Sequence, residues 1–257
     1  MHVLISNDDG YLAPGIDALN RHVSTVARTT VVAPRQNCSG ASNSLTLRQP
    51  IYTETDDRGF VVVDGTPADC VHLAVTGMLT DVPDMVISGI NAGANMGDDI
   101  MYSGTVAAAI EGRFLGLPAI AVSLASWNLE HFQTAGKVIV DLLQRLEDAP
   151  LPEDSILNVN VPDIHYESLA GWCATRAGAR HQSQPIIRDR DSDGDTIYRI
   201  GPVGEEADSG PGTDFYAIAN NCVSVTPVQI DMTRHDRLHT VGVWLDSIHH
   251  KQNQYRQ

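Results

Sequence analysis

Over residues 2–161 the chain alternates short, β-branched apolar runs with stretches of helical periodicity, and few folds accommodate that alternation. "HVLIS" (2–6), "TTVVAP" (29–34), "DMVISGI" (84–90), "AIAVSL" (119–124) and "ILNVNV" (156–161) read as strands. Residues 15–27, 66–79, 104–116 and 130–147 read as helices between them. Residues 46–52 and 60–64 predict two further strands, joined as a hairpin. The helix at 66–79 carries its own start signal: Thr66 as cap, Pro67 at the first helical position, and Asp69 near the positive end of the dipole. Strands separated by helices need crossover connections, so the expected fold class is α/β, with a mostly parallel, doubly wound sheet.

Beyond about residue 162 the texture changes. Residues 175–213 are polar, and "PIIRDRDSDGDTIYRIG" predicts a β-hairpin turning at Asp193-Gly194. So polar an excursion is expected to project from the core, towards a partner subunit. "GTDFYAIANN" (212–221) reads as a helix, "CVSVTPVQI" (222–230) as a strand, and "HHKQNQYRQ" (249–257) as a frayed tail. The 257 residues suit one domain: a core of about 1–162 with 222–230, a hairpin of about 180–202, and an extension of about 231–257.

Composition excludes some partners. The net charge of −15 and pI near 4.8 argue against nucleic-acid polymers and anionic membrane surfaces, though not against a small phosphorylated substrate. No apolar stretch is long enough to span a membrane, and residues 2–6 are too short for a secretory signal. Cys38, Cys70, Cys173 and Cys222 form no C-x-x-C pair and are expected as reduced thiols in a cytoplasmic protein.

In an open α/β sheet, ligands gather at the carboxyl ends of the strands. There the chain places Asn7-Asp8-Asp9-Gly10, then Asn37-Cys38-Ser39-Gly40, then "NAGANMGDDIMYSGT" (91–105). Adjacent aspartates point oppositely along a strand, so Asp8 and Asp9 face one ion only where the strand has ended, and Gly10 permits that bend. Carboxylates, a hydroxyl and amide carbonyls are hard donors, which favour magnesium, manganese or calcium over zinc. Ser103, Gly104 and Thr105 lie at a helix start, where free N–H groups and hydroxyls make a phosphate seat. Taken singly these residues have plainer readings: a turn acid paired with Arg113, a loop hydroxyl, helix caps. Their convergence on one sheet edge favours phosphoryl-ester hydrolysis. "DRDSDG" (189–194) starts like a calcium loop, but its twelfth position is Ile200, and its flanks read as strands. "HDRLH" spaces His235 and His239 like a zinc helix, but has Asp236 for the glutamate and the strand-like "TVGVW" (240–244) beside it. The adjacent acids are not the D-x-D of aspartyl-phosphate phosphatases.

Six segments in order, "SNDDG…APG", "VVAP…SGAS", "GTPADC", "SGINAGANMGDD", "YSGTVAAAIEGR" and "GPGTDF", closely resemble the survival protein SurE family of metal-dependent nucleotidases, from residue 1 to about 230. The resemblance implies a Rossmann-like, three-layer domain whose C-terminal hairpin and helix extension serves a homodimer or homotetramer. It implies one divalent cation, magnesium or manganese, held by Asp8, Asp9, Ser39 and Asn91. It implies hydrolysis of nucleoside 5′- and 3′-monophosphates, and in some members of short polyphosphate. Asn95, Ser103, Gly104 and Thr105 match the family's phosphate-side positions. The expected chemistry is metal-assisted attack of water on phosphorus, with Asp8 or Asp9 orienting the water. The alternative is a non-catalytic module that senses metal and nucleotide.

Overall fold

A computed structural model describes residues 1–152 and 154–254. Its central sheet has nine strands. In chain order the main elements are β1 (His2–Ser6), α1 (Pro14–Val23), β2 (Arg28–Pro34), β3 (Thr53–Thr55), β4 (Val61–Val63), α2 (Pro67–Leu73), β5 (Met85–Ala92), α3 (Gly104–Phe114), β6 (Ala119–Ala125), α4 (Phe132–Asp148) and β7 (Ile156–Pro162). Then follow β8 (Gly171–Ala174), β9 (Ala179–Arg180), β10 (Ile187–Arg190), β11 (Thr196–Arg199), β12 (Glu206–Asp208), α5 (Asp214–Ala219), β13 (Cys222–Val228) and α6 (Leu238–Gln254).

The strand order is β3-β4-β2-β1-β5-β6-β7-β13-β8. Strands β4, β2, β1, β5, β6 and β7 are mutually parallel, while β3 and β13 run against their neighbours β4 and β7. The order among the parallel strands reverses between β1 and β5, and that reversal opens the crevice where such sheets bind ligands. Side chains alternate across the sheet. Val3 and Ile5 pack with Ile16 and Leu19 of α1 and Ile139 and Leu143 of α4. Leu4, Val32 and Val86 pack on the other face with Val71 of α2 and Val106 and Ala108 of α3. The result is the expected three-layer α/β fold.

Thr66, Pro67 and Asp69 start α2 as the sequence predicts. The Thr66 hydroxyl accepts the Asp69 N–H (3.1 Å), and the Asp69 carboxylate accepts the Thr66 N–H (2.9 Å). The hairpin at 187–199 forms with its turn at Asp191–Asp195, where Asp191 accepts the N–H groups of Asp193 and Asp195. Asp189 pairs there with Arg199, so the would-be calcium loop is a strand-flanked turn.

Three expectations are corrected. The strand expected at 46–52 lies at Thr53–Thr55, because the Asp69 carboxylate takes both the N–H and the hydroxyl of Thr46 and holds that stretch off the sheet. "TVGVW" is helical, inside α6: the apolar spacing Leu238, Val241, Leu245 is the helical one, and among the described residues no strand lies beside it. The tail expected to fray continues α6 to Gln254, with 255–257 outside the described residues. His235 sits in a short turn bonded to Asp231, and among the described residues no group of three or more His, Cys, Asp or Glu side chains could hold a metal.

Candidate active site

Strand β1 ends at Ser6, and the next residues turn. Gly10, at φ +97°, makes a turn that L side chains resist, and the Asn7 carboxamide fastens it by donating to the Gly10 carbonyl (2.9 Å). Asp8 then faces α3 while Asp9 faces the end of β5. The Asp8 carboxylate accepts the Thr105 hydroxyl. The Asp9 carboxylate accepts the Ala92 N–H (2.8 Å) and, at 3.5 Å, the Asn37 carboxamide. The backbone joins the first two loops as well, since Cys38 N–H donates to the Asp8 carbonyl (2.7 Å).

Gly104 allows α3 to start so close to Asp8. A Cβ there would stand 2.7 Å from the Asp8 Cβ and 2.9 Å from its Oδ2. Ser103 caps the helix, its hydroxyl accepting the Val106 N–H (3.1 Å). The first N–H groups of α3 have no partner within the helix and point over the carboxyl edge of the sheet.

The electrostatics are unusual. Asp8 is 3 % exposed. Burial pushes its carboxyl up to about 6; the Thr105 hydroxyl pulls it partly back, and Asp9 adds to the rise. Burial also raises Asp9, against the pull of the Ala92 N–H. Among the described residues no Lys, Arg or His forms an ion pair with either acid, so the expected alternative of an Arg113 pair does not occur. Two adjacent carboxylates, one buried and one half-buried, without a protein cation suit an exogenous one, and the carboxylate, hydroxyl and amide oxygens gathered there suit a hard divalent ion.

The other expected residues fall around this pair. Asn91 is the penultimate residue of β5, next to Ala92, with its carboxamide N–H on the Gly93 carbonyl (2.9 Å). Ser39 is exposed and reaches Asp9 indirectly: its N–H donates to Asn37 Oδ1 (2.8 Å), whose carboxamide turns towards Asp9. Asn95 lies deeper, over β6 and β7, held by Ser123, Asn158 and Asn160. A cavity of about 370 Å³ opens beside Asp9, lined by Leu12, Ala13, Pro14, Gly15, Asn37 and Ala92. Asn37 was within the expected loop, but its bridging between Asp9 and Ser39 was not foreseen. Asn158 and Asn160 lie outside the expected site, although two asparagines inside a buried strand are themselves a signal.

The sequence matches the family model described as survival protein SurE over residues 3–184. The chain belongs to the SurE family. It is 61 % identical over 245 residues to the 5′-nucleotidase SurE of Methylococcus capsulatus, covering 95 % of this chain and 98 % of that one. It is 58 % identical over 249 residues to the 5′-nucleotidase SurE of Halorhodospira halophila, covering 96 % and 99 %. The crystal structure of the SurE protein from Aquifex aeolicus superposes with a TM-score of 0.84 at 41 % identity, over 95 % of this chain and 99 % of that one. The SurE relatives thus share nearly the whole length of the chain.

Proposed function

We infer that this SurE-family chain is a metal-dependent 5′-nucleotidase, which hydrolyses nucleoside monophosphates to nucleoside and phosphate. One observation carries the reading: an aspartate pair, Asp8 buried and Asp9 half-buried, without a protein cation among the described residues, set against the N-terminus of α3 at the point where the strand order reverses. Asp8, Asp9, Ser39 and Asn91 would hold one divalent cation, magnesium or manganese. When bound, such an ion supplies Lewis-acid charge at a phosphoryl oxygen and favours ionisation of water. The chain's own groups do the rest. The Gly104 N–H and Asn95 donate to phosphate oxygens and stabilise charge that grows on the equatorial oxygens, while the Thr105 N–H, like its hydroxyl, is turned to Asp8. The Thr105 hydroxyl and the Ala92 N–H fix the two carboxylates, and Asp8 or Asp9 orients the attacking water.

The substrate range extends in this proposal to 3′-monophosphates and short polyphosphate. The working form is a homodimer or homotetramer assembled through the projecting β10–β11 hairpin and α6. Exposed Ile187, Tyr198, Leu238 and Val241 on those elements support this, as does the resemblance. The described residues contain no helix long and apolar enough to cross a membrane.

The test is phosphate release from AMP, GMP, a 3′-monophosphate and tripolyphosphate, with magnesium or manganese, beside D8N and D9N. Release by the wild type that falls about a hundredfold or more in both variants is expected. Tight nucleotide binding by folded protein without release would replace this reading with the sensor module.

A further inference from the structure

Strand β7 does not match its place in the sheet. It lies inside the sheet, parallel to β6 and antiparallel to β13, and is packed by α3 and α4, so a nearly unbroken apolar run is expected. Instead it carries Asn158 and Asn160, both fully buried. Their polar groups converge on one residue. Asn160 Oδ1 accepts the Asn95 N–H (2.9 Å), and Asn160 Nδ2 donates to the Asn95 carbonyl (2.9 Å). Asn158 Nδ2 donates to the same carbonyl (2.8 Å). The Ser123 hydroxyl, from β6, accepts from Asn95 Nδ2 (2.8 Å). Two residues on, the Gly97 N–H donates to Asp214 Oδ2 (2.8 Å), and the segment then runs into Ser103 and α3.

Asn158 Oδ1 is buried without a partner, so an apolar side chain of similar volume would be better accommodated. Buried amides that fit poorly into their strand, and that hold both the N–H and the carbonyl of one loop residue, serve that residue's position. We propose that Asn158 and Asn160 are positioning residues for the hydrolysis: they fix Asn95, and with it the segment leading to Ser103, against the phosphoryl group. The proposal rests on Asn95 being a phosphate-side residue of the nucleotidase.

The test uses the full chain carrying Asn158→Leu, with AMP as substrate and saturating manganese. N158L removes the orphaned oxygen, so its melting temperature stays at or above the wild-type value. Its kcat falls about tenfold, because the phosphate-side donor is displaced. The manganese requirement stays within about twofold, and KM rises less than kcat falls, since Asn95 meets more charge in the transition state than in the bound phosphate. Inhibition by orthovanadate weakens in step with kcat, and inhibition by inorganic phosphate weakens less. Wild-type kcat in folded N158L overturns the proposal, as does a loss that vanishes once only folded protein is counted. Ser123→Ala, which frees the Asn95 carboxamide alone, gives a second check should N158L not fold; unaltered kcat and vanadate inhibition there also overturn it. Wild-type protein that releases no phosphate would refute the nucleotidase reading instead. Amide exchange at Asn95 would then judge the anchor in Asn160→Leu, which removes the acceptor of that N–H, and equal protection in wild type and N160L would overturn it.

Discussion

Asp8 is the residue on which the account depends, and its titration gives a signed expectation. Without a cation its folded value, about 6, lies above the ordinary 3.8. The folded state therefore takes up this proton before the unfolded state does. Stability of the chelated protein should rise as pH falls from above 6 towards 4. With saturating manganese the trend reverses, because protons compete for the ligand, and affinity should weaken by up to about tenfold per pH unit below 6. Melting curves across pH, with chelator and with manganese, check both signs. Gly104 gives a second expectation. Gly→Ala inside a helix normally stabilises by about 1 kcal/mol. Here the new Cβ would meet Asp8, so G104A should lose activity by about tenfold or more without gaining stability. Thermal melts beside turnover rates separate these outcomes. Much of this site was legible in residue types alone: paired acids beyond a strand, and hydroxyls at a helix start. Hydrogen-bond direction was not. Whether Thr105 would cap its helix or hold Asp8 depends on how closely α3 approaches β1, which no local pattern encodes.

At the scale of elements, the start of α2 is the clearest case of a local signal fulfilled. Thr66→Ala removes the cap of a reciprocal capping box and should cost about 1 kcal/mol, a fall in melting temperature of roughly 2–4 °C for a chain of this size. Activity should persist, since Thr66 touches neither aspartate. Where propensity and tertiary contact agreed, strand positions were readable: β1 and β2 carry unbroken apolar runs and sit in the middle of the sheet. They diverged at 46–52. That run has strand-like residues, but Asp69 claims the polar groups of Thr46. They diverged again in α6, where β-branched residues over 240–244 suggested a strand although no neighbour exists to pair with one. A strand needs a partner supplied from elsewhere in the chain, whereas a helix satisfies its own backbone.

At the scale of the whole molecule, a chain with net charge −15 presents its substrate, itself an anion, with a repulsive field. The proposed cation and the start of α3 would form a local exception, which fits a small phosphate ester better than a polymer. The hairpin and α6 expose apolar side chains outside both cores. Light scattering should accordingly find two or four copies of the 27.8 kDa chain, and a lone copy at working concentration would remove the oligomer from the proposal. The central claim is that Asp8 and Asp9 hold the cation on which hydrolysis depends. Its most direct test is phosphate release from AMP by protein stripped with chelator and then titrated with manganese, with D9N alongside. The expected result is no release after stripping, recovery that saturates with manganese, and no recovery in D9N. Full activity in the stripped protein, or manganese-dependent recovery in D9N equal to wild type, would contradict it.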